Sequence, residues 1–207
     1  MITRMIDDAG LENMLKSWIY LDNHDTARLA TELPDPHQRR IAQVLQFTLP
    51  GAPNLYYGGE LDMTGGNDPA MRAPMRWDLV RDGFAPLAWT RQLVALHQQH
   101  RALRVGNYRT IEATNLIAFE RTTDRVADAV IVLVNPSASE VRETVMLTDS
   151  KLMDNSVLVD LLAPPGAAPL RVISSTLQVT LPPQSFRVLA PNVARSAGGY
   201  TNYKRVH

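Results

Sequence analysis

The sequence predicts two architectures in one chain: an α/β part first, then an all-β part. Three observations carry this. Residues 17–21, "SWIYL", and 54–59, "NLYYGG", are short runs rich in strand formers, separated by a segment with helical periodicity. From about residue 105 onward, short apolar runs follow one another, split by Pro, Gly, Ser and Asp, with no helical segment between them. Apolar residues alternate strictly at Leu177, Val179 and Leu181, and again at Phe186 and Val188.

The first run, residues 17–21, suits a buried parallel strand. After a polar loop, Asp35 is placed to cap a helix with Pro36 at its first position. Ile41, Val44, Leu45 and Thr48 recur at helical spacing, and "PGAP" at 50–53 stops the helix. Residues 54–59 then read as a second buried strand with a glycine exit. Strand, helix and strand make a βαβ unit, so the two strands are expected to be parallel neighbours with a right-handed crossover. The polar stretch "GGELDMTGGNDPAMRAPMRWD" is a long loop of the kind that carries function. A further helix is expected over 86–103, with Trp89, Leu93, Leu96 and His100 on one face.

Beyond that helix, "LIAFERTT", "AVIVLVNPS", "VRETVMLT", "SVLVDLLA", "STLQVTLPP" and "SFRVLAP" are strand candidates. They predict an antiparallel sandwich of about six to eight strands. The boundary is expected near residues 104–108, dividing the chain into 1–105 and 106–207. The tail "SAGGYTNYKRVH" is expected to be loosely held.

Composition narrows the function. Twenty-one basic residues balance 21 acidic ones, and the Arg residues are scattered, so neither nucleic acid nor a membrane surface is indicated as a partner. There is no Cys, which excludes disulfides and thiolate metal sites. No apolar stretch is long enough to span a bilayer and the first residues do not form a signal peptide, so the expected location leans cytoplasmic.

Polar residues gather where the predicted strands end. The first run is followed by Asp22, Asn23, His24 and Asp25, the second by Glu60. Ligands of parallel α/β folds bind at the carboxyl ends of strands. Carboxylates leaving adjacent strand ends can stand about 5–10 Å apart, the range of glycosidase pairs. A second reading makes Asp25 a turn residue only. A third takes His24-Asp25 as a metal-binding pair, which requires further ligands such as His97 and His100. The glycines of "GGELDMTGG" lack phosphate-binding spacing.

Two segments resemble the α-amylase family, glycoside hydrolase family 13. "YLDNHDTARL" is similar to its last signature segment. "PGAPNLYYGGELDMTGGNDPAMRAPMRWD" is similar to the stretch at and after its eighth barrel strand. The resemblance covers roughly residues 10–105 and is strongest toward the α-glucosidase, cyclomaltodextrinase and neopullulanase branch. It implies that residues 1–105 are the C-terminal portion of a TIM (β/α)8 barrel, about two βα units with strands seven and eight. The antiparallel β-sandwich would be the C-terminal domain of such enzymes.

The resemblance also implies roles. Asp25 matches the carboxylate that stabilises the transition state at the cleaved sugar, and His24 the histidine that contacts the same sugar. Asp68 and Arg72 match a pair that binds the next sugar, although Asp68 before Pro69 also reads as a turn and Arg72 as a loop-shaping ion-pair partner. Tyr57 and Glu60 match scaffold positions, which counts against an Asp25–Glu60 dyad. No segment resembles the family's nucleophilic Asp or general acid Glu, which retaining enzymes hold about 5–5.5 Å apart. The expectation is a piece of a retaining α-glucan-active hydrolase, inactive alone, without metal or cofactor. Its partners would be an α-glucan or maltooligosaccharide and the rest of the barrel, or a second copy joined through open sheet edges. The competing expectation is a non-catalytic carbohydrate-binding or assembly module.

Overall fold

A computed structural model of the protein describes residues 1–148 and 152–192, which form two compact units, Met1–Gln99 and His100–His207. The expected loosely held tail, 196–207, lies outside the described residues.

The first unit opens with helices α1 (Ile2–Ala9) and α2 (Leu11–Lys16), for which the sequence pattern makes no provision. Strand β1 (Trp18–Ile19) follows, then α3 (Leu29–Glu32), α4 (Pro36–Thr48) and strand β2 (Ala52–Pro53). Strands β1 and β2 are parallel, pairing Trp18 with Ala52 and Ile19 with Pro53. Helix α4 begins as the sequence predicts: the Asp35 carboxylate accepts from the His37 amide at 2.8 Å and Pro36 sits in the first turn. It buries Ile41, Val44 and Thr48, together with Gln43 and Gln46. The Gln46 amide donates to the carbonyls of Ile19 (3.1 Å) and Asn54 (2.9 Å), which ties the helix to both strands.

Three expectations are corrected here. The first strand is two residues long rather than five, and it is not buried: Trp18 is 72% and Tyr20 56% exposed. The second strand lies before "NLYYGG", inside the segment expected only to stop the helix. Pro53 is tolerated because the strand's donors are Ala52 N and Asn54 N, which reach Ser17 O and Ile19 O at 2.8 Å each, so its missing N–H falls between them. Residues 56–59 turn instead, since Gly58 takes the left-handed conformation (φ 80°) and the Gly59 amide closes on Tyr56 O at 3.0 Å. The third correction concerns the long helix. Helix α5 (Ala85–Gln99) ends early, His100 is extended, and a separate short helix α6 (Arg101–Val105) begins. Arg101 pairs with Asp124 (3.0 Å) and Asp128 (3.6 Å) of the β unit, so the chain after His100 follows that unit.

The second unit contains β3 (Asn107–Thr110), β4 (Ile117–Thr122), β5 (Val130–Asn135), β6 (Val141–Met146), β7 (Val157–Asp160), β8 (Leu170–Arg171), β9 (Thr176–Leu181) and β10 (Ser185–Pro191). Every pairing is antiparallel. Six strands run in the order β3-β4-β5-β10-β7-β8, and β6 and β9 form a separate ribbon. The ribbon's Val141, Val145, Leu177, Val179 and Leu181 share one core with Ala118, Ile131, Leu133, Leu158 and Leu189 of the larger sheet. Period-two alternation in β9 produces this packing, because only one face of the ribbon meets apolar partners. Strands β3 and β8 are additions to the sequence reading; both are short and mostly polar, and pairing rather than pattern makes them strands. No helix among the described residues is long and apolar enough to cross a membrane.

Candidate functional site

The segment after β1 is built by its own polar side chains. The buried Asp22 carboxylate accepts from Leu29 N at 2.8 Å and anchors the start of α3. Asn23 Oδ1 accepts from Asp25 N at 2.7 Å, and Asn23 N donates to Thr26 Oγ1 at 3.0 Å. These local bonds turn the chain and leave His24 and Asp25 projecting into solvent.

The loop 58–73 meets this turn through a second set of bonds. Arg28 is fully buried. Its Nε donates to Met71 O at 2.7 Å and its Nη1 to Tyr57 O, so one guanidinium holds both ends of the loop. The charge faces two aromatic rings, with Arg28 Cζ 4.2 Å from the centroid of Tyr56 and 4.6 Å from that of Tyr57. The middle of the loop is fastened as well. Arg28 N donates to Gly65 O and Gly65 N to Thr31 Oγ1, both at 2.8 Å. Gly65 has to be glycine: a Cβ there would collide with Ala70 O. Burial, with the neighbouring Tyr57 hydroxyl, holds the Tyr56 phenol above its ordinary value, so it is a neutral group at this wall.

This scaffold brings together all four residues singled out from the sequence. Arg72 Nη2 lies 3.2 Å from Asp25 Oδ1, and Arg72 Nε lies 3.4 Å from Asp68 Oδ1. Arg72 Nε also donates to His24 O at 2.9 Å. On the other side of the Asp25 carboxylate, His24 Nε2 is 3.1 Å from Oδ2. One guanidinium thus bridges two carboxylates that arrive from different segments. The groups are open to a ligand: Asp25 is 65% exposed and Arg72 48%. The Arg72 guanidinium stands beside one oxygen of Asp25 and the His24 ring beside the other, while the carboxylate remains open to solvent.

Other residues considered from the sequence are placed elsewhere. Glu60 sits on a single 3-10 turn, Gly59–Leu61, and the bonds that assemble the cluster run through Arg72 rather than through it. His97 is occupied with α4, its Nδ1 3.0 Å from Phe47 O and its ring edge-on to Phe47. Burial pushes the His100 pKa down, with Asp128 opposing. No group of three or more His, Asp or Glu among the described residues is arranged to hold a metal ion. Arg28 is the residue that sequence reasoning missed. Its only sequence cue is its place three residues after Asp25, since its partners are main-chain carbonyls that leave no side-chain pattern.

The chain was compared with known proteins. The family model described as the alpha amylase catalytic domain matches residues 1–123. Cyclomaltodextrinase from Geobacillus thermopakistaniensis is 34% identical over 174 residues, which is 82% of this chain and 28% of that protein. Neopullulanase 2 from Thermoactinomyces vulgaris is 34% identical over 134 residues, 63% of this chain and 22% of that protein. Among solved structures, the native form of a Nostoc punctiforme debranching enzyme superposes with a TM-score of 0.76 at 27% identity, covering 91% of this chain and 38% of that one. The chain spans about a quarter of the length of these two curated relatives.

Proposed function

The chain belongs to the α-amylase family, and from that premise we propose that it forms the sugar-gripping flank of a retaining α-glucan hydrolase, acting on α-1,4- or α-1,6-glucosidic bonds. In this reading residues 1–105 are the last two βα units of the catalytic barrel and residues 106–207 its C-terminal β domain. The observation that carries it is the Arg72 guanidinium standing between Asp25 and Asp68 with His24 on the far oxygen of Asp25. Such a constellation presents acceptors and donors to adjacent sugar hydroxyls. Asp25 strengthens its grip as the ring flattens toward an oxocarbenium ion, and His24 contacts the same sugar. Asp68 and Arg72 hold the next glucosyl unit.

Bond cleavage with retention needs a nucleophilic carboxylate and a general acid about 5–5.5 Å apart. No segment of the 207 residues resembles either motif. The chain on its own therefore binds without cleaving. Among the described residues strands β1 and β2 pair only with each other, and Trp18 and Tyr20 lie exposed there. Their outer edges are where the remaining barrel strands, or a second copy, add.

Incubation of the purified chain with maltotriose and with an aryl α-glucoside tests this. The expected result is no release of glucose or aryl alcohol above background. Turnover that Glu60→Gln abolishes would overturn the assignment and make Asp25 and Glu60 the working pair.

A further inference from the structure

In the β unit a cavity of about 320 Å³ opens between the end of β7, the start of β10 and the loop that follows β7. Its walls include Asp160, Pro164, Pro182, Ser185, Phe186 and Arg187. We propose that this cavity is a second carbohydrate site, binding one glucosyl unit of an α-glucan independently of the Asp25 cluster. The choice of a glucan rests on the family reading; the existence of the site rests on the cavity and the polar pair in its wall.

The polar groups are arranged for a hydroxyl. The Asp160 side chain is only 9% exposed and is set by two backbone donors, Leu162 N at 3.1 Å and Val188 N at 3.4 Å, both to Oδ1. Its other oxygen, Oδ2, stands 3.8 Å from Arg187 Nη1. That separation is too long for a hydrogen bond. Among the described residues the Arg187 guanidinium donates no hydrogen bond to protein, although its side chain is just 31% exposed. A ligand hydroxyl placed between them accepts from Arg187 and donates to Asp160, and so completes what the protein leaves open. A neighbouring hydroxyl on the same ring reaches the remaining guanidinium donors.

The walls match the rest of a pyranose. Pro164 and Pro182 give apolar surface for the C–H face of a sugar, in a space of the size that small ligands occupy. A simple anion is disfavoured, because the Asp160 carboxylate stands beside the arginine. The site is also held before any ligand arrives. Asn135 is fully buried and donates to Pro182 O at 2.8 Å and Leu181 O at 3.2 Å, and Ser185 Oγ donates to the same Pro182 carbonyl at 2.7 Å. A fixed wall lowers the ordering cost of binding.

Titration of the isotopically labelled chain with maltotriose, followed by amide chemical shifts, tests the proposal. Shifts are expected in 160–167 and 181–187. They should persist in Asp25→Asn and Arg72→Ala. Arg187→Met should weaken that response at least tenfold, with the remaining spectrum retained as the check on folding. Should that variant fail to fold, Arg187→Lys, which keeps the charge without the planar fork, takes its place and should weaken the response at least threefold. Shifts confined to the residues around Asp25 would overturn this site and leave the proposed function standing. Absence of shifts in 160–187 at saturating sugar would overturn it whatever the Asp25 cluster does. A response in 160–187 to glucan that Arg187→Met does not reduce would also overturn it.

Discussion

Arg72 Nη2 stands 3.2 Å from Asp25 Oδ1, although 47 positions separate the two residues in the chain. Both side chains are well exposed, so the pair contributes little to folding. Arg72→Ala is expected to change stability by no more than about 1 kcal/mol, as for other exposed ion pairs. It is also expected to weaken maltooligosaccharide binding at this cluster. Urea unfolding beside a sugar titration checks both, and a large loss of stability would make Arg72 a structural residue.

Arg28 is the opposite case. Replacing it with Met leaves the carbonyls of Tyr57 and Met71 without their donor, at about 1–3 kcal/mol for each buried group. A loss of roughly 2–6 kcal/mol is expected in urea unfolding of the first unit. Arg28→Lys keeps the charge but not the planar fork, so it should recover less than half of that loss. A neutral Arg28→Met variant would show that the loop is held by other means.

Gly65→Ala tests the close approach of the loop to itself. The added Cβ meets a backbone oxygen, which cannot swing away as a side chain would. Overpacking of this kind costs about 1–3 kcal/mol. Faster hydrogen exchange is expected at the amides of Arg28 and Gly65, which bond across this contact. Unchanged exchange there would mean that the loop accommodates the methyl group elsewhere.

Asp160 gives the β unit a pH dependence of definite sign. Burial raises its pKa, against the opposing pull of the Leu162 and Val188 amides and of Arg187. The folded form therefore holds the proton more tightly than the unfolded chain. Stability contributed by this group falls as pH rises from the ordinary carboxylate range, about 3.9, through the raised value. Asp160→Asn removes that slope. Unfolding free energies measured across this range in both proteins should diverge as pH rises, the variant gaining relative to the parent. Parallel curves would refute the shift.

Asp35→Ala removes the acceptor for the His37 amide at the start of α4 and should cost about 1 kcal/mol. The effect should be local, visible as faster exchange in the first turn of that helix. Loss of exchange protection throughout the first unit would instead show that the cap holds more than its own helix.

Local chemistry made much of this protein legible. Asp35 and Pro36 marked a helix start because capping involves residues two apart. Leu177, Val179 and Leu181 marked a strand because alternation is a property of neighbours. A turn role for Asp25 was one of the readings the sequence left open, and the bonds of that turn span only two or three residues. The assembly of His24, Asp25, Asp68 and Arg72 entered through resemblance to a family rather than through spacing. Strands β3 and β8 carried no alternation to read, and their partners decided their conformation.

The sequence by itself determined the division into an α/β part and an antiparallel part, and the capped helix. Tertiary structure alone decided that the second strand falls at Ala52–Pro53, that Arg28 grips the two ends of the loop, and that Asp160 and Arg187 come together in the wall of a cavity. The reason is physical. Periodicity and capping act over a few residues and leave a mark in side-chain order. A buried donor that reaches main-chain carbonyls 29 and 43 positions away meets groups every residue possesses, so no pattern in the sequence announces it.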